Sequence, residues 1–151
     1  MESQDRGPLS QPDRSARRAI VWPPHTTTAQ PRDPSVIVLA VDDDPAILQL
    51  VADTLRDDGI EVEQASNGLE ALDRLDRIQP DAIVLDLEMP VMDGRTFYRQ
   101  LRASGRGIPV LILSAHGART ARTQLGADAA IEKPFRAAAL LDQVRTIVRP
   151  R

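Results

Sequence analysis

At 151 residues, 42% hydrophobic and 27% charged, the chain has room for one ordinary domain with a sizeable core and is too short for two. The absence of cysteine excludes disulfides, thiolate catalysis and zinc–thiolate sites, and two histidines, His25 and His116, leave little material for an imidazole metal site. No apolar run approaches the ~20 residues a bilayer requires, a net charge of −3 gives nucleic acid no electrostatic attraction, and the lack of a secretory signal leads us to expect a cytoplasmic protein that does not engage membranes.

Residues 1–34 hold six of the twelve prolines, and their few apolar side chains recur at no structural period. Such a composition cannot bury enough surface to offset chain entropy, which predicts a disordered Pro-rich tail. From Ser35 the text changes. The runs Val36–Val41, Ala82–Leu87 and Val110–Leu113 are short, β-branched and nearly continuous, as strands buried on both faces should be. Shorter strand candidates are Ile60–Gln64 and Ala129–Ile131.

Helical spacing lies between them. Ile47, Leu48, Val51 and Leu55 form one stripe, with Gly59 as the stop. Leu69, Leu72, Leu75 and Ile78 form a second, closed by Pro80. Phe97 and Leu101 mark a third that ends at Gly105. Residues 118–125 give a fourth, with Leu125 as its only large apolar group. Leu140, Leu141, Val144, Ile147 and Val148 mark the last, ended by Pro150. Five βα repeats imply a doubly wound, five-stranded parallel sheet with right-handed crossovers and helices on both faces. Ligands of such sheets bind beyond the carboxyl ends of the strands, where the strand order reverses.

The strand ends carry the chemistry. The first strand runs into Asp42-Asp43-Asp44. Asp44 before Pro45 reads as a helix N-cap, which leaves two adjacent acids unexplained. Carboxylates ~4 Å apart repel by about 4 kcal/mol at an effective dielectric of ~20, a cost that a divalent cation with hard oxygen ligands, such as Mg²⁺, relieves. The third strand ends in Asp86, the fourth in Ser114, and the fifth leads to Lys133, the single lysine among 19 basic residues. Taken singly, each has an ordinary explanation as a cap or a solvated surface group. Taken together in a sheet of order 2-1-3-4-5, they converge on an acidic Mg²⁺ site with a hydroxyl and an ammonium beside it, suited to a phosphoryl group.

Val41-Asp42-Asp43-Asp44, the run from Ile83 through Asp86 to Asp93-Gly94, Leu113-Ser114-Ala115 and Lys133-Pro134-Phe135 together resemble the receiver domain of two-component response regulators, over about residues 35–149. The resemblance implies a flavodoxin-like fold, with residues 35–151 as the receiver. It implies that Asp86 accepts a phosphoryl group from the phosphohistidine of a sensor histidine kinase or phosphotransfer protein. It further implies that Asp43, Asp86 and the backbone carbonyl of Glu88 ligate Mg²⁺ directly, with Asp42 acting through water. Ser114 and Lys133 would bind the phosphoryl oxygens and drive the switch. Glu88 and His116, two residues beyond the acceptor and the hydroxyl, would tune the lifetime of the acyl phosphate.

One departure stands out: the family's aromatic three residues before its lysine is replaced by Ala130. Residues 35–151 hold 14 basic and 18 acidic residues, a net −4, and only Pro150 and Arg151 follow the last helix. We therefore expect a stand-alone receiver that signals through its fourth helix, fifth strand and fifth helix to a protein target or a phosphorelay. We expect no direct contact with nucleic acid, and no enzyme activity beyond self-catalysed phosphorylation and dephosphorylation. Two alternatives remain: a pseudo-receiver that binds partners without phosphorylation, suggested by Ala130, and an aspartyl-phosphate phosphatase of the haloacid dehalogenase type. The second formally accounts for Asp42-Asp43-Asp44, but leaves the Asp86 motif unexplained.

Overall fold

The computed structural model describes residues 35–148; the Pro-rich segment 1–34, expected to be a disordered tail, lies outside the described residues, as does Pro150. Strands β1 (Ile37–Val41), β2 (Glu61–Ala65), β3 (Ala82–Asp86), β4 (Val110–Ser114) and β5 (Ala129–Glu132) alternate with helices. The helices are α1 (Pro45–Arg56), α2 (Gly68–Leu75), α3 (Gly94–Ala103), α4 (Ala118–Leu125) and α5 (Ala137–Ile147). All strand pairs are parallel and the order is β2-β1-β3-β4-β5, as the expected order 2-1-3-4-5 requires.

The unbroken apolar runs follow from the two-sided sheet. Successive side chains of a strand point to opposite faces, so Val38 and Ala40 enter one layer while Leu39 and Val41 enter the other. The first layer joins β1, β3 and β4 to α1 and α5 through Leu48, Val51, Leu55, Leu140 and Val144. The second joins them to α2, α3 and α4 through Ala71, Leu75, Phe97, Leu101 and Ala121. Each fully buried aliphatic side chain contributes roughly 1.5–3 kcal/mol, and the central strands β3 and β4 are buried at every position.

Polar residues fix where helices begin. Asp44 accepts from the Ala46 N–H at 2.9 Å with Pro45 behind it, as read from the sequence. Asn67 and Asp93 accept from the N–H groups of Glu70 and Thr96, both at 2.8 Å, and the Glu70 carboxylate reaches back to the Ser66 N–H in the manner of a capping box.

The stripe expected for the second helix is corrected. The helix ends at Leu75, short of Ile78, and Leu69 is 54% exposed. Steps of three residues lag ~60° per step on a helix of 3.6 residues per turn, so Leu69, Leu72, Leu75 and Ile78 spiral around it. The face that packs inward is Gly68, Ala71 and Leu75, and a small alanine at its centre is what the hydrophobic count overlooked.

Candidate phosphoryl and metal site

Strand register assembles the site. Val38 through Val41 of β1 pair with Ala82 through Leu85 of β3, which sets Asp42 beside Asp86 at the next step. Asp86 in turn pairs with Leu113, and Ser114 with Glu132, so Asp86, Ser114 and Lys133 follow one another along the carboxyl edge. Among the described residues, the buried polar side chains are Asp42 at 2% exposure, Asp86 at 2% and Ser114 at 0%. All three belong to this one edge. Asp43 is exposed, and one oxygen each from Asp42, Asp43 and Asp86 lies within 4.8 Å of the others.

Lys133 reaches into the cluster, its Nζ donating to Asp42 Oδ2 at 2.8 Å and lying 3.2 Å from Asp86 Oδ1. Asp42 Oδ1 accepts from the Asp44 N–H at 2.9 Å, so both of its oxygens are held. Asp86 Oδ1 also accepts from the Glu88 N–H at 3.4 Å, whereas Oδ2 has no hydrogen-bond partner among the described residues. The Asp86 carboxylate thus presents one restrained oxygen and one with open lone pairs.

Three carboxylates face a single ammonium. Burial pushes the Asp86 pKa up from 3.8 to about 6, helped by the Asp42 charge and opposed by Lys133. Burial works against the Lys133 ammonium, yet the Asp42 and Asp86 carboxylates outweigh it and hold its pKa above the usual lysine value. The donor set is all oxygen, partly buried and short of positive charge, which suits a hard cation of the size of Mg²⁺.

Ser114 Oγ donates to the His116 carbonyl at 2.8 Å, with the Glu88 carboxylate at 3.2 Å. Glu88 therefore meets the Ser114 hydroxyl directly, while His116 contacts it through its backbone and keeps its side chain exposed. Ala130 is half-buried at the rim of the second core layer. The expected residues Asp42, Asp43, Asp86, Glu88, Ser114 and Lys133 are brought together; His116 borders them, and Ala130 stands apart.

Two features escaped sequence reasoning. Gly94 was noticed only as part of a motif, but a Cβ there would lie 2.2 Å from the Asp86 carbonyl oxygen and 2.7 Å from Leu87 Cα. The Gly94 N–H bonds the Leu87 carbonyl at 3.0 Å, so α3 begins hard against the Asp86–Leu87 backbone and only glycine fits. The second is the Glu132 carboxylate, which accepts from the Gly117 N–H at 3.0 Å. Gly117 is an N-cap with no side chain to offer, so β5 caps α4 from outside, and no local signal announces it.

The fold and the pocket define a doubly wound parallel α/β protein with an acidic, lysine-paired cluster at the switch point of its sheet. Residues 38–145 match the response regulator receiver domain family, and the chain belongs to that family. It is 42% identical over 115 residues to the response regulator MprA of Mycobacterium leprae, an alignment covering 74% of this chain and 50% of the relative. MprA of a Mycobacterium species (strain KMS) is 41% identical over 117 residues, covering 76% and 51%. The chain thus spans about half the length of the curated relatives it matches. Among solved structures, the Vibrio cholerae chemotaxis protein CheY4 superposes with a TM-score of 0.71 at 34% identity, covering 76% of this chain and 99% of that one. The receiver domain of the Francisella response regulator 1452 gives 0.71 at 32%, covering 76% and 97%. Signalling by phosphorylation is general to the family, and no helix among the described residues is long and apolar enough to cross a membrane.

Proposed function

We propose that Asp86 is the phosphoacceptor, taking a phosphoryl group from the phosphohistidine of a sensor kinase or phosphotransfer protein. Oδ2 is the attacking oxygen, since Oδ1 is already engaged by Lys133 and the Glu88 N–H. The P–O bond forms as the P–N bond breaks, and the histidine nitrogen keeps the electron pair. With a pKa of about 6, Asp86 is ionised at neutral pH and needs no separate base. Phosphoryl transfer depends mainly on positioning and on neutralising charge over the equatorial oxygens. Lys133 supplies a compact point charge, and Ser114 supplies a hydroxyl once it leaves the His116 carbonyl. Asp43, Asp86 and the Glu88 carbonyl would hold Mg²⁺, with Asp42 acting through water; when bound, the ion neutralises phosphoryl charge.

The observation that carries this reading is the burial of Asp42, Asp86 and Ser114 at one strand edge, with Lys133 closing it. In its output we read the described unit as a cytoplasmic module that works by itself, through the face formed by α4, β5 and α5, on a protein target or a phosphorelay and not on nucleic acid. Its only catalysis is of its own phosphorylation and dephosphorylation. Incubation with acetyl phosphate and Mg²⁺ followed by intact-mass measurement tests the acceptor. One phosphoryl adduct is expected on the natural chain and none on Asp86→Asn. An adduct that persists in that variant, or no adduct on either, overturns the assignment, the latter in favour of a pseudo-receiver. Steady turnover of phosphomonoesters overturns it in favour of a phosphatase.

A further inference from the structure

The loop that joins β4 to α4 is gripped from one side by the end of β5. Ser114 pairs with Glu132 across the two strands, and the Lys133 N–H donates to the Ser114 carbonyl at 2.9 Å. At the other end of the loop, the Gly117 N–H donates to Glu132 Oε2 at 3.0 Å. Two successive residues of one strand end therefore hold both ends of the loop. Between these grips the loop closes on itself, because the Ser114 hydroxyl donates to the His116 carbonyl at 2.8 Å.

The grip on Gly117 has little local support. Gly117 begins α4 with no side-chain cap, and the first turn of that helix holds no acidic residue. The helix is eight residues long, with Ala118 and Ala121 as its buried side chains. A carboxylate is favoured beside the exposed N–H groups of a helix N-terminus, and a hydrogen bond to a charged acceptor is roughly twice as strong as a neutral one. Glu132 is itself exposed, so no core packing directs it there.

The geometry points to Glu132 as a positioning residue: by clasping the β4–α4 loop at Gly117, it keeps the Ser114 hydroxyl on the His116 carbonyl and so restrains uptake of a phosphoryl group. This role presupposes that Asp86 is the acceptor and Ser114 the hydroxyl that serves it. The hydroxyl reaches a phosphoryl oxygen only by leaving the His116 carbonyl, which opens the loop that Glu132 holds shut. A contact made in the unphosphorylated chain stabilises that state, and a phosphoryl group that favours the open loop must work against it. Lys133, next in sequence, contacts Asp42 and Asp86. One strand end thus serves the pocket with one side chain and restrains its hydroxyl with the other.

The test is a double-mutant cycle on the full chain, read as the rate of Asp86 labelling by acetyl phosphate and Mg²⁺ in intact-mass measurements. Glu132→Ala should label faster by about threefold or more. Glu132→Gln, which keeps an oxygen for the Gly117 N–H, should stay closer to the natural chain. In the Ser114→Ala background the Glu132→Ala change should leave the rate unaltered, since no hydroxyl remains to be released. Hydrogen exchange without phosphoryl donor or Mg²⁺ should be faster at the Gly117 amide in Glu132→Ala. Labelling of Glu132→Ala at the natural rate or below it, or unchanged exchange at Gly117, overturns the proposal. Equal acceleration by Gln and Ala, or an acceleration that survives in Ser114→Ala, overturns it too and leaves the removed charge as the cause. No label on the natural chain, or a label that persists in Asp86→Asn, defeats the acceptor assignment and this role with it. That failure is told apart because exchange at Gly117 is measured with no phosphoryl group present.

Discussion

Replacing Asp86 by asparagine should stabilise the cation-free protein, although the residue sits at the centre of the site. A carboxyl whose pKa is about 6 in the folded chain against 3.8 otherwise costs the folded state about 3 kcal/mol once ionised. The sign follows from proton counts. Between pH 3.8 and about 6 the folded state holds a proton on Asp86 that the unfolded state has lost, so stability falls as pH rises through that window and is level above it. Asparagine copies the neutral carboxyl in shape and keeps an oxygen on Lys133 and the Glu88 N–H, but its amide nitrogen takes the open Oδ2 position without a partner among the described residues, which returns about 1 kcal/mol. The net gain is about 2 kcal/mol, or roughly 5–10 °C in Tm for a domain of this size. Thermal denaturation of both chains in EDTA across this range is the assay. The gap should open as pH rises from about 4 to 6 and stay constant beyond, because that is where the two states differ in bound protons. Millimolar Mg²⁺ should close or reverse it by stabilising the natural chain through mass action. A variant no more stable than the natural chain in EDTA at alkaline pH, or a gap indifferent to pH, refutes the argument that Asp86 is held ionised against its surroundings.

Other substitutions probe neighbouring parts of the same structure. Gly94→Ala drives a methyl group into the Asp86 carbonyl at 2.2 Å; a loss of about 2 kcal/mol or more in urea titration is expected, with slower labelling by acetyl phosphate, and a neutral outcome would contradict the close approach. Lys133→Arg keeps the charge but replaces a compact ammonium by a planar fork, and phosphorylation should slow by about tenfold or more in rapid-quench measurements. Asp93→Ala removes the cap on the Thr96 N–H and should cost about 1 kcal/mol. The Asp93 pKa is lowered chiefly by its bonds to Thr96, so that contribution is present above the usual carboxylate range and is lost as pH falls through the lowered value. Exchanging both Glu88 and His116 should change the acyl-phosphate half-life several-fold, and an unchanged decay curve would exclude them as lifetime determinants.

The strands and the residues at their ends were legible because each rests on a local pattern, whereas the order 2-1-3-4-5 came from likeness to flavodoxin-like sheets. A two-sided parallel sheet demands unbroken apolar runs, and Ala82–Asp86 supplies one that ends in a charge. The same rule that places ligands at strand ends joined Asp42, Asp86, Ser114 and Lys133 before any contact was known. What remained hidden depends on distance across the fold. The inward face of α2 turns on Ala71, which is buried although it contributes little to any hydrophobic pattern. The role of Gly94 depends on where the Asp86 backbone passes, and the cap that Glu132 supplies to Gly117 spans fifteen residues.

The sheet itself sets the cost of the site. β1 and β3 are covered on both faces, so a side chain that ends either strand has no lateral route to water. Asp42 and Asp86 are consequently as buried as the leucines beside them, and one ammonium cannot balance them together with Asp43. Domains of this size retain only about 5–15 kcal/mol of net stability; an ionised Asp86 uses a sizeable fraction of that. The core on either side of the sheet is what makes the excess charge tolerable, and the same excess is what an incoming cation relieves. Affinity for a cation and instability without one would therefore share one origin. A neutral substitution at Asp42 or Asp86 is expected to weaken ion binding, and one at Asp86 to raise stability as well; no single change at that position can increase both.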